Sequence, residues 1–383
     1  MVLQSPRWLS LSYFTYFFCY GVFLPFWGGW LKGEGLTPEA IGMLLGAGLI
    51  ARFVGSLVIT PAIRDPARLI NALRLLALLT LLFSAGFWLG SGVWLWLMLV
   101  MIAFNLFFAP LIPLTDGLAA TWQRQIKMDY GKVRLWGSIA FVIGSAATGE
   151  LVAHWGHQAI LWGLCAGLLA MLLGMLPRPH VMPASAPPDG ARRDDVTPWR
   201  QLLREPPVWR FLLCVSLLQG AHAAYYGFSV IYWQEAGYSA AVTGYLWSLG
   251  VAAEIAIFAF SHRLFRRWSP RDLLLLSALC GLARWSLMGA SVAWPWLIVM
   301  QLLHCGTFTV CHLAGMRFIA ARGGGDVLRL QAVYSALAMG GGIAVMTMFS
   351  GFLFERYGAG TFWAMALLTV PVLFLRPGVS RPR

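Results

Sequence analysis

Residues 242–261 read VTGYLWSLGVAAEIAIFAFS, an apolar run whose one charged side chain is Glu254. A charge at the centre of a membrane helix costs about 2.5–3.5 kcal/mol on insertion scales, so such a residue faces a cavity or a partner. At helical spacing Trp247, Val251, Glu254, Phe258 and Ser261 share one face. The next apolar run carries Arg284, and the one after it carries Gln301, His304, Phe308 and His312 at three- and four-residue steps. Carboxylate, guanidinium and imidazole on three successive segments are a set able to take up and release a proton. Burial disfavours a carboxylate's charge and a neighbouring guanidinium favours it. A site that alternates between those surroundings binds a proton in one state and releases it in the other. This reading makes Glu254 the proton-coupling group, Arg284 its counter-ion, and His304 or His312 the tuning or relaying group. The competing reading is a fixed Glu254–Arg284 pair that only joins two helices.

A second set is cationic and aromatic. Arg52 lies inside an apolar run and is able to hold a carboxylate bidentately; pairing with Asp116 or another acid is its structural alternative. Tyr13, Tyr16, Tyr20, Phe23 and Trp27 share one helical face, as do Gln219, His222, Tyr226, Ser229 and Trp233. Rings offer stacked and edge contacts to an aryl group, and hydroxyls offer polar anchors; packing or an interfacial belt is the bland alternative. His222 aligns with Tyr16, so a simple replacement of that hydrogen bond also accounts for it.

The elements that must position these residues are membrane helices. The 383 residues are 59% hydrophobic and 11% charged, with mean hydropathy +0.71. Soluble domains run near one-quarter charged, and crossing about 30 Å of hydrocarbon takes roughly 20 apolar residues. Twelve runs meet that demand, near 8–31, 38–60, 69–89, 93–118, 134–154, 158–176, 208–234, 239–261, 271–291, 294–319, 329–354 and 360–376. The net charge of +13 is distributed by side: of 28 Lys and Arg, all but four lie before the first run, in alternate gaps, or in the tail. The exceptions are Lys32 and Arg356 opposite, and Arg52 and Arg284 within runs. That asymmetry places both termini in the cytoplasm and explains the basic pI without nucleic acid. All six cysteines fall within runs, leaving no external disulfide framework and no loop metal site. The first run lacks a small-residue cleavage site and reads as a span, not a removable signal.

The polar stretch 177–207, rich in Pro and charge, separates an N-terminal six-helix half (1–176) from a C-terminal one (208–383). The halves echo each other. GLTPEAIGMLLGAGLIAR (35–52) lies over GYSAAVTGYLWSLGVAAE (237–254) without a gap, matching glycines 35, 42 and 48 to 237, 244 and 250 and Arg52 to Glu254. Residues 13–27 lie over 219–233, pairing Trp27 with Trp233. NLFFAPLIPLTDGLA (105–119) lies over QLLHCGTFTVCHLAG (301–315), placing Asn105 on Gln301 and Asp116 opposite His312. Parallel halves of this kind put a substrate site at the midplane, reached by alternating access.

Six plus six spans around a basic central loop resemble the major facilitator superfamily. DYGKVRLWGSIAFVIGS (129–145), PLIPLTDGLA (110–119), LLQGAHAAYYGFSVIYWQEAGYSA (217–240) and LHCGTFTVCHLAGMRFIAAR (303–322) resemble its phenylpropionate permease branch, which is related to nucleoside and sugar proton symporters. The resemblance covers nearly the whole chain. It implies an all-α membrane protein of twelve transmembrane helices in two pseudo-symmetric halves, with the first and seventh lining the cavity. The expected substrate-binding residues, read from the buried cation, the aromatic stripes and the positions aligned between the halves, are Arg52, Tyr16, Tyr20, Trp27, Asn105, Asp116, His222, Tyr226, Trp233 and Gln301. The superfamily's Gly-x-x-x-Asp-Arg-x-Gly-Arg loop survives only as PAIRDPARL (61–69), leaving Asp65 and Arg68 as gating partners.

The expectation is a proton-coupled importer of an aromatic carboxylate such as 3-phenylpropionate, in a bacterial inner membrane, monomeric, with no cofactor beyond the coupling proton and no nucleic-acid partner. Its alternative is a nucleoside or sugar symporter, or a drug efflux carrier, on the same fold. No nucleotide-binding loop or sizeable extramembrane domain is present in the sequence, so an enzyme or receptor is disfavoured. SIAFVIGSAATGE (138–150) reads as a close-packing stretch, with Ser145 or Thr148 open to a ligand role and Glu150 open between a gate and water.

Overall fold

The computed structural model describes residues 2–63, 65–90, 92–184, 198–322 and 326–375. Residues 185–197 of the expected 177–207 linker lie outside them, as do Arg64, Arg192, Arg193, Arg376, Arg381 and Arg383. Among the described residues the chain is helical, apart from a two-residue parallel pairing of Val2–Leu3 with Arg178–Pro179. Eleven helical spans are long and apolar enough to cross a membrane. They are α1 (Ser5–Gly33), α2 (Pro38–Ala62), α3 (Pro66–Leu89), α4 (Trp94–Gln125), α5 (Tyr130–Trp155) and α6 (Gln158–Met175). After these come α7 (Pro206–Glu235), α8 (Ala240–Leu264), α9 (Pro270–Ala290), α10 (Trp294–Ala320) and α11 (Arg329–Tyr357). The expected twelfth position holds a shorter apolar helix, α12 (Gly360–Leu375). A one-turn helix, Trp199–Arg204, precedes α7.

Local chemistry sets the ends. Thr37 accepts from Ala40 N–H ahead of Pro38, and Ser269 with Asp272 closes a capping box ahead of Pro270. The α1–α2 and α7–α8 turns both need a left-handed residue, and both use the glycines that align in sequence: Gly35 at φ 87° and Gly237 at φ 94°. Several spans are interrupted. α4 breaks at Ala109-Pro110, where proline supplies no N–H. α7 breaks between Gly220 and Ala223, with His222 in the break. α10 contains a π turn at Cys305–Thr309 and α11 another at Ser335–Gly341. Such turns carry an extra residue and cluster at functional positions.

The chain forms two compact units. The first comprises Met1–Asp189 with Trp233–Ser248, and the second Gly190–Tyr232 with Leu249–Arg383. In the first unit α1 and α5 meet backbone to backbone. A Cβ added at Gly144 would lie 2.5 Å from the Phe18 carbonyl oxygen, and one at Gly21 2.5 Å from that of Phe141. Small residues at such contacts let helices approach closely. Ser145 Oγ donates to the Gly244 carbonyl and Ser248 Oγ to that of Val142, both at 3.1 Å. Thr148 donates within its own helix. The 138–150 stretch therefore packs, and Glu150 accepts a hydrogen bond from Tyr245. The second unit has its own core, in which Phe211 stacks on Phe318 at 4.0 Å among Val208, Val215, Leu273 and Leu330.

Candidate functional site

The polar centre of the second unit is built around Arg284 of α9, which is fully buried. Its Nη1 donates to His304 Nδ1 at 2.7 Å and to Thr307 Oγ1 at 3.0 Å, and its Nη2 donates to Gln301 Oε1 at 3.2 Å. Its inner nitrogen, Nε, has no hydrogen-bond partner. The guanidinium also lies over the rings of Tyr225, at 4.4 Å, and Trp285, at 4.5 Å. Gln301 donates in turn to Tyr225 Oη at 3.0 Å. On the far side of His304, Nε2 stands 2.5 Å from Glu254 Oε1.

A guanidinium has donors and no acceptor, which decides the protonation pattern here. Since Nη1 donates to His304 Nδ1, that nitrogen carries a lone pair, and the ring proton sits on Nε2 facing the Glu254 carboxylate. The expected Glu254–Arg284 ion pair is therefore not formed directly. His304 lies between the two charges and bonds to both. The structure brings Glu254, Arg284 and His304 together by hydrogen bonds, while His312 bonds elsewhere: its Nδ1 is 3.3 Å from Tyr334 Oη, and its ring stacks on Phe308. Gln301 belongs to the Arg284 cage instead of offering its amide to a substrate. His222 is likewise engaged at both nitrogens, with Nδ1 3.0 Å from the Leu218 carbonyl and Nε2 3.1 Å from Thr307 Oγ1. Its ring is fully buried and stacks on Tyr226.

The cationic centre of the first unit is differently furnished. Arg52 of α2 donates through Nη2 to Tyr16 Oη at a long 3.5 Å and lies over the rings of Tyr20, at 5.0 Å, and Phe108, at 5.5 Å. Its buried Nη1 has no hydrogen-bond partner. One turn before it, Gly48 faces Asn105, which donates to the Met101 carbonyl while its buried Oδ1 has no partner. Asp116 does not reach Arg52. It accepts from Tyr13 Oη at 2.5 Å and from Tyr130 Oη at 3.4 Å, so two hydroxyls hold the carboxylate that the sequence offered as the arginine's alternative partner.

Other expected site residues part company. Tyr16 is buried and stacks on Phe108 at 4.7 Å, and Tyr20 is half-buried. Trp27 has no exposed surface; it stacks on Trp30 at 4.7 Å and against Phe87, and so belongs to an aromatic core. Trp233 is equally buried. Asp65 and Arg68 form a neighbouring-turn pair at 3.9 Å with both side chains largely in the open, while Asp65 caps the Ala67 N–H. Sequence reasoning missed Thr307, Tyr225 and Phe108. Thr307 sits three residues after His304, a spacing that signals a shared face; Tyr225 and Phe108 carried no signal beyond their aromatic character.

The comparisons with known proteins agree on a class. Residues 7–365 match the model of the MFS_1 like family. The chain is 65% identical over 382 residues, covering 99% of both proteins, to a probable 3-phenylpropionic acid transporter of Escherichia coli (strain K12). It is 28% identical over 358 residues to the maltose permease of Geobacillus stearothermophilus, covering 91% of this chain and 88% of that one. Among solved structures, a point mutant of the nucleoside transporter NupG superposes with a TM-score of 0.81 at 15% identity, covering 96% of this chain and 98% of that one, a likeness of fold. A multi-pass membrane transporter and not an enzyme, the chain belongs to the MFS_1 like family of the major facilitator superfamily.

Proposed function

We propose that the protein imports an aromatic carboxylate such as 3-phenylpropionate together with a proton, by alternating access, across a bacterial inner membrane with both termini in the cytoplasm. The observation that carries the substrate class is Arg52. Its guanidinium rests on Tyr20 and Phe108 with a buried Nη1 unpartnered. A carboxylate supplies the missing acceptor, and the surrounding rings offer an aryl group stacked or edge contacts. The relative named as a probable 3-phenylpropionic acid transporter supports the same class. An uncharged nucleoside or sugar would leave that nitrogen without an anionic partner.

Such an acid is ionised near neutral pH, given carboxyl pKa values of about 4–4.5. Carrying one anion into a negative interior costs about 2.3 kcal/mol per 100 mV, and one accompanying proton cancels the charge. Glu254 is the group assigned to that proton. It faces the His304 N–H at 2.5 Å, with Arg284 one residue further along. One proton from water forms an O–H on the carboxylate, removes the charge that His304 faces, and is returned to water on the other side. The chain works as a monomer with no cofactor.

Uptake of labelled 3-phenylpropionate by cells expressing the protein tests this reading. Wild type should accumulate the acid, more strongly as the external pH falls, and an uncoupler should abolish accumulation. Glu254→Gln should lose accumulation while keeping exchange of internal for external substrate. No uptake by well-inserted wild type would overturn the substrate class. Full accumulation by Glu254→Gln would overturn the coupling assignment.

A further inference from the structure

The hydrogen bonds around Arg284 have fixed directions, and they run outward along two arms. One arm is Arg284 Nη1–H to His304 Nδ1, then His304 Nε2–H to Glu254 Oε1. The other is Arg284 Nη1–H to Thr307 Oγ1, then the Thr307 hydroxyl proton to His222 Nε2, then His222 Nδ1–H to the Leu218 carbonyl. One assignment satisfies every partner along the second arm. The Leu218 carbonyl only accepts, so His222 carries its proton on Nδ1 and its Nε2 needs a donor; the Thr307 hydroxyl provides it. The His304 carbonyl, just before the π turn and 3.1 Å from the same hydroxyl, competes for that proton.

The two arms end differently. The first ends on a carboxylate that gains and loses a proton. The second ends on backbone, at the point where α7 is interrupted. Both are anchored on one nitrogen: Nη1 gives one hydrogen to His304 and the other to Thr307.

We propose that Thr307 and His222 are positioning residues that hold Arg284 one side chain away from Glu254 and so set the proton affinity of the carrier. Without the Thr307 acceptor, Nη1 has a hydrogen free to turn toward the carboxylate, and a guanidinium in contact favours its ionised form. The groups bearing on Glu254 are Arg284 of α9, His304, His312 and Cys305 of α10, and Tyr225 of α7. Of these, the second arm restrains Arg284. The inference rests on Glu254 as the coupling group.

The test reads Glu254 directly, without substrate. Infrared difference spectra of the purified full-length protein in lipid, recorded across pH, contain the protonated carboxyl band that disappears in Glu254→Gln. Thr307→Val should move the midpoint of that band about one pH unit to the acid side, a tenfold weaker proton affinity. Thr307→Ser, which keeps the hydroxyl, should restore the wild-type midpoint, and His222→Leu should shift it in the same direction as Thr307→Val. In proteoliposomes, Thr307→Val should need a more acidic exterior to accumulate 3-phenylpropionate, with exchange intact. An unmoved midpoint in Thr307→Val, or equal shifts in Thr307→Val and Thr307→Ser, overturns the inference. So does the absence of any pH-dependent band lost in Glu254→Gln. The import reading fails separately, through the uptake of wild type and Glu254→Gln.

Discussion

Two buried arginines mark the two units, and their surroundings are opposite. Arg284 gives hydrogens from both terminal nitrogens to a histidine, a threonine and a glutamine. Arg52 has one long contact to a tyrosine hydroxyl, two aromatic faces, and a buried terminal nitrogen with no acceptor. Both side chains carry the cost of a charge in hydrocarbon. In the first case protein acceptors offset much of it; in the second a buried terminal nitrogen has no protein acceptor, which is the basis of the proposed anion site. On the proposed reading, the guanidinium whose terminal nitrogens are taken up by its own fold positions other groups, and the one left short of an acceptor receives the substrate.

The largest effect that should separate the two is on stability. Arg284→Met removes the donor from His304 Nδ1 and Gln301 Oε1 and one of three partners of Thr307 Oγ1, and each buried group left stranded costs about 1–3 kcal/mol. Arg52→Met forfeits mainly ring contacts worth about 0.5–2 kcal/mol. Thermal unfolding in detergent should therefore show a much lower Tm for Arg284→Met than for Arg52→Met. Equal losses would erase the distinction between a spent and an available guanidinium.

Affinity should reverse that order. A hydrogen bond to a charged group is worth about 1.5–3 kcal/mol, so Arg52→Gln should weaken 3-phenylpropionate binding roughly ten- to a hundredfold. Titration of the purified protein by calorimetry measures it. Arg52→Lys keeps the charge but loses the planar fork, and should recover only part of the loss. Wild-type affinity in Arg52→Gln would move the carboxylate elsewhere.

How far these roles were legible in the sequence follows from the kind of information each needs. Span positions depend on composition over about twenty residues, and the charge asymmetry on counting, so both can be read in one dimension. The pairing of Gly35 with Gly237 was visible as an ungapped match, and both glycines do adopt the left-handed turn that match requires. The bond order around Arg284 was not visible. Glu254, Arg284 and His304 lie on three spans, and which of them stands in the middle depends on helix rotation. The π turn at Cys305–Thr309 adds a residue that no apolar period announces, and it is what places Thr307 beside Arg284. The aromatic stripe of α1 was correctly seen as one face, but a face runs the length of a helix. Tyr16 and Tyr20 reach Arg52, while Trp27, further along, is sealed against Trp30 and Phe87.

A smaller effect tests whether the carboxylate nearest the first centre belongs with it. Asp116 is held by the hydroxyls of Tyr13 and Tyr130. An asparagine keeps an acceptor there, so Asp116→Asn should lower Tm modestly and leave substrate affinity within a few-fold of wild type. A loss as large as that of Arg52→Gln would make Asp116 part of the anion site and weaken the picture of Arg52 as the lone available cation.

The smallest effect belongs to a third arginine, which serves as the control for both. Arg68 pairs with Asp65 at 3.9 Å with 83% of its side chain exposed. Exposed ion pairs have a median worth near zero because water and salt screen them and two side chains must be ordered. Arg68→Gln should accordingly leave Tm and binding affinity unchanged. The pair lies outside the helical core, at the α2–α3 connection, so a change in transport rate at constant affinity would have to come from a conformational step. A slowed rate with wild-type Tm and affinity would assign Asp65 and Arg68 the gating role that the residual loop motif implies. An unchanged rate would show that, in this chain, a guanidinium matters only where hydrocarbon removes the competing water.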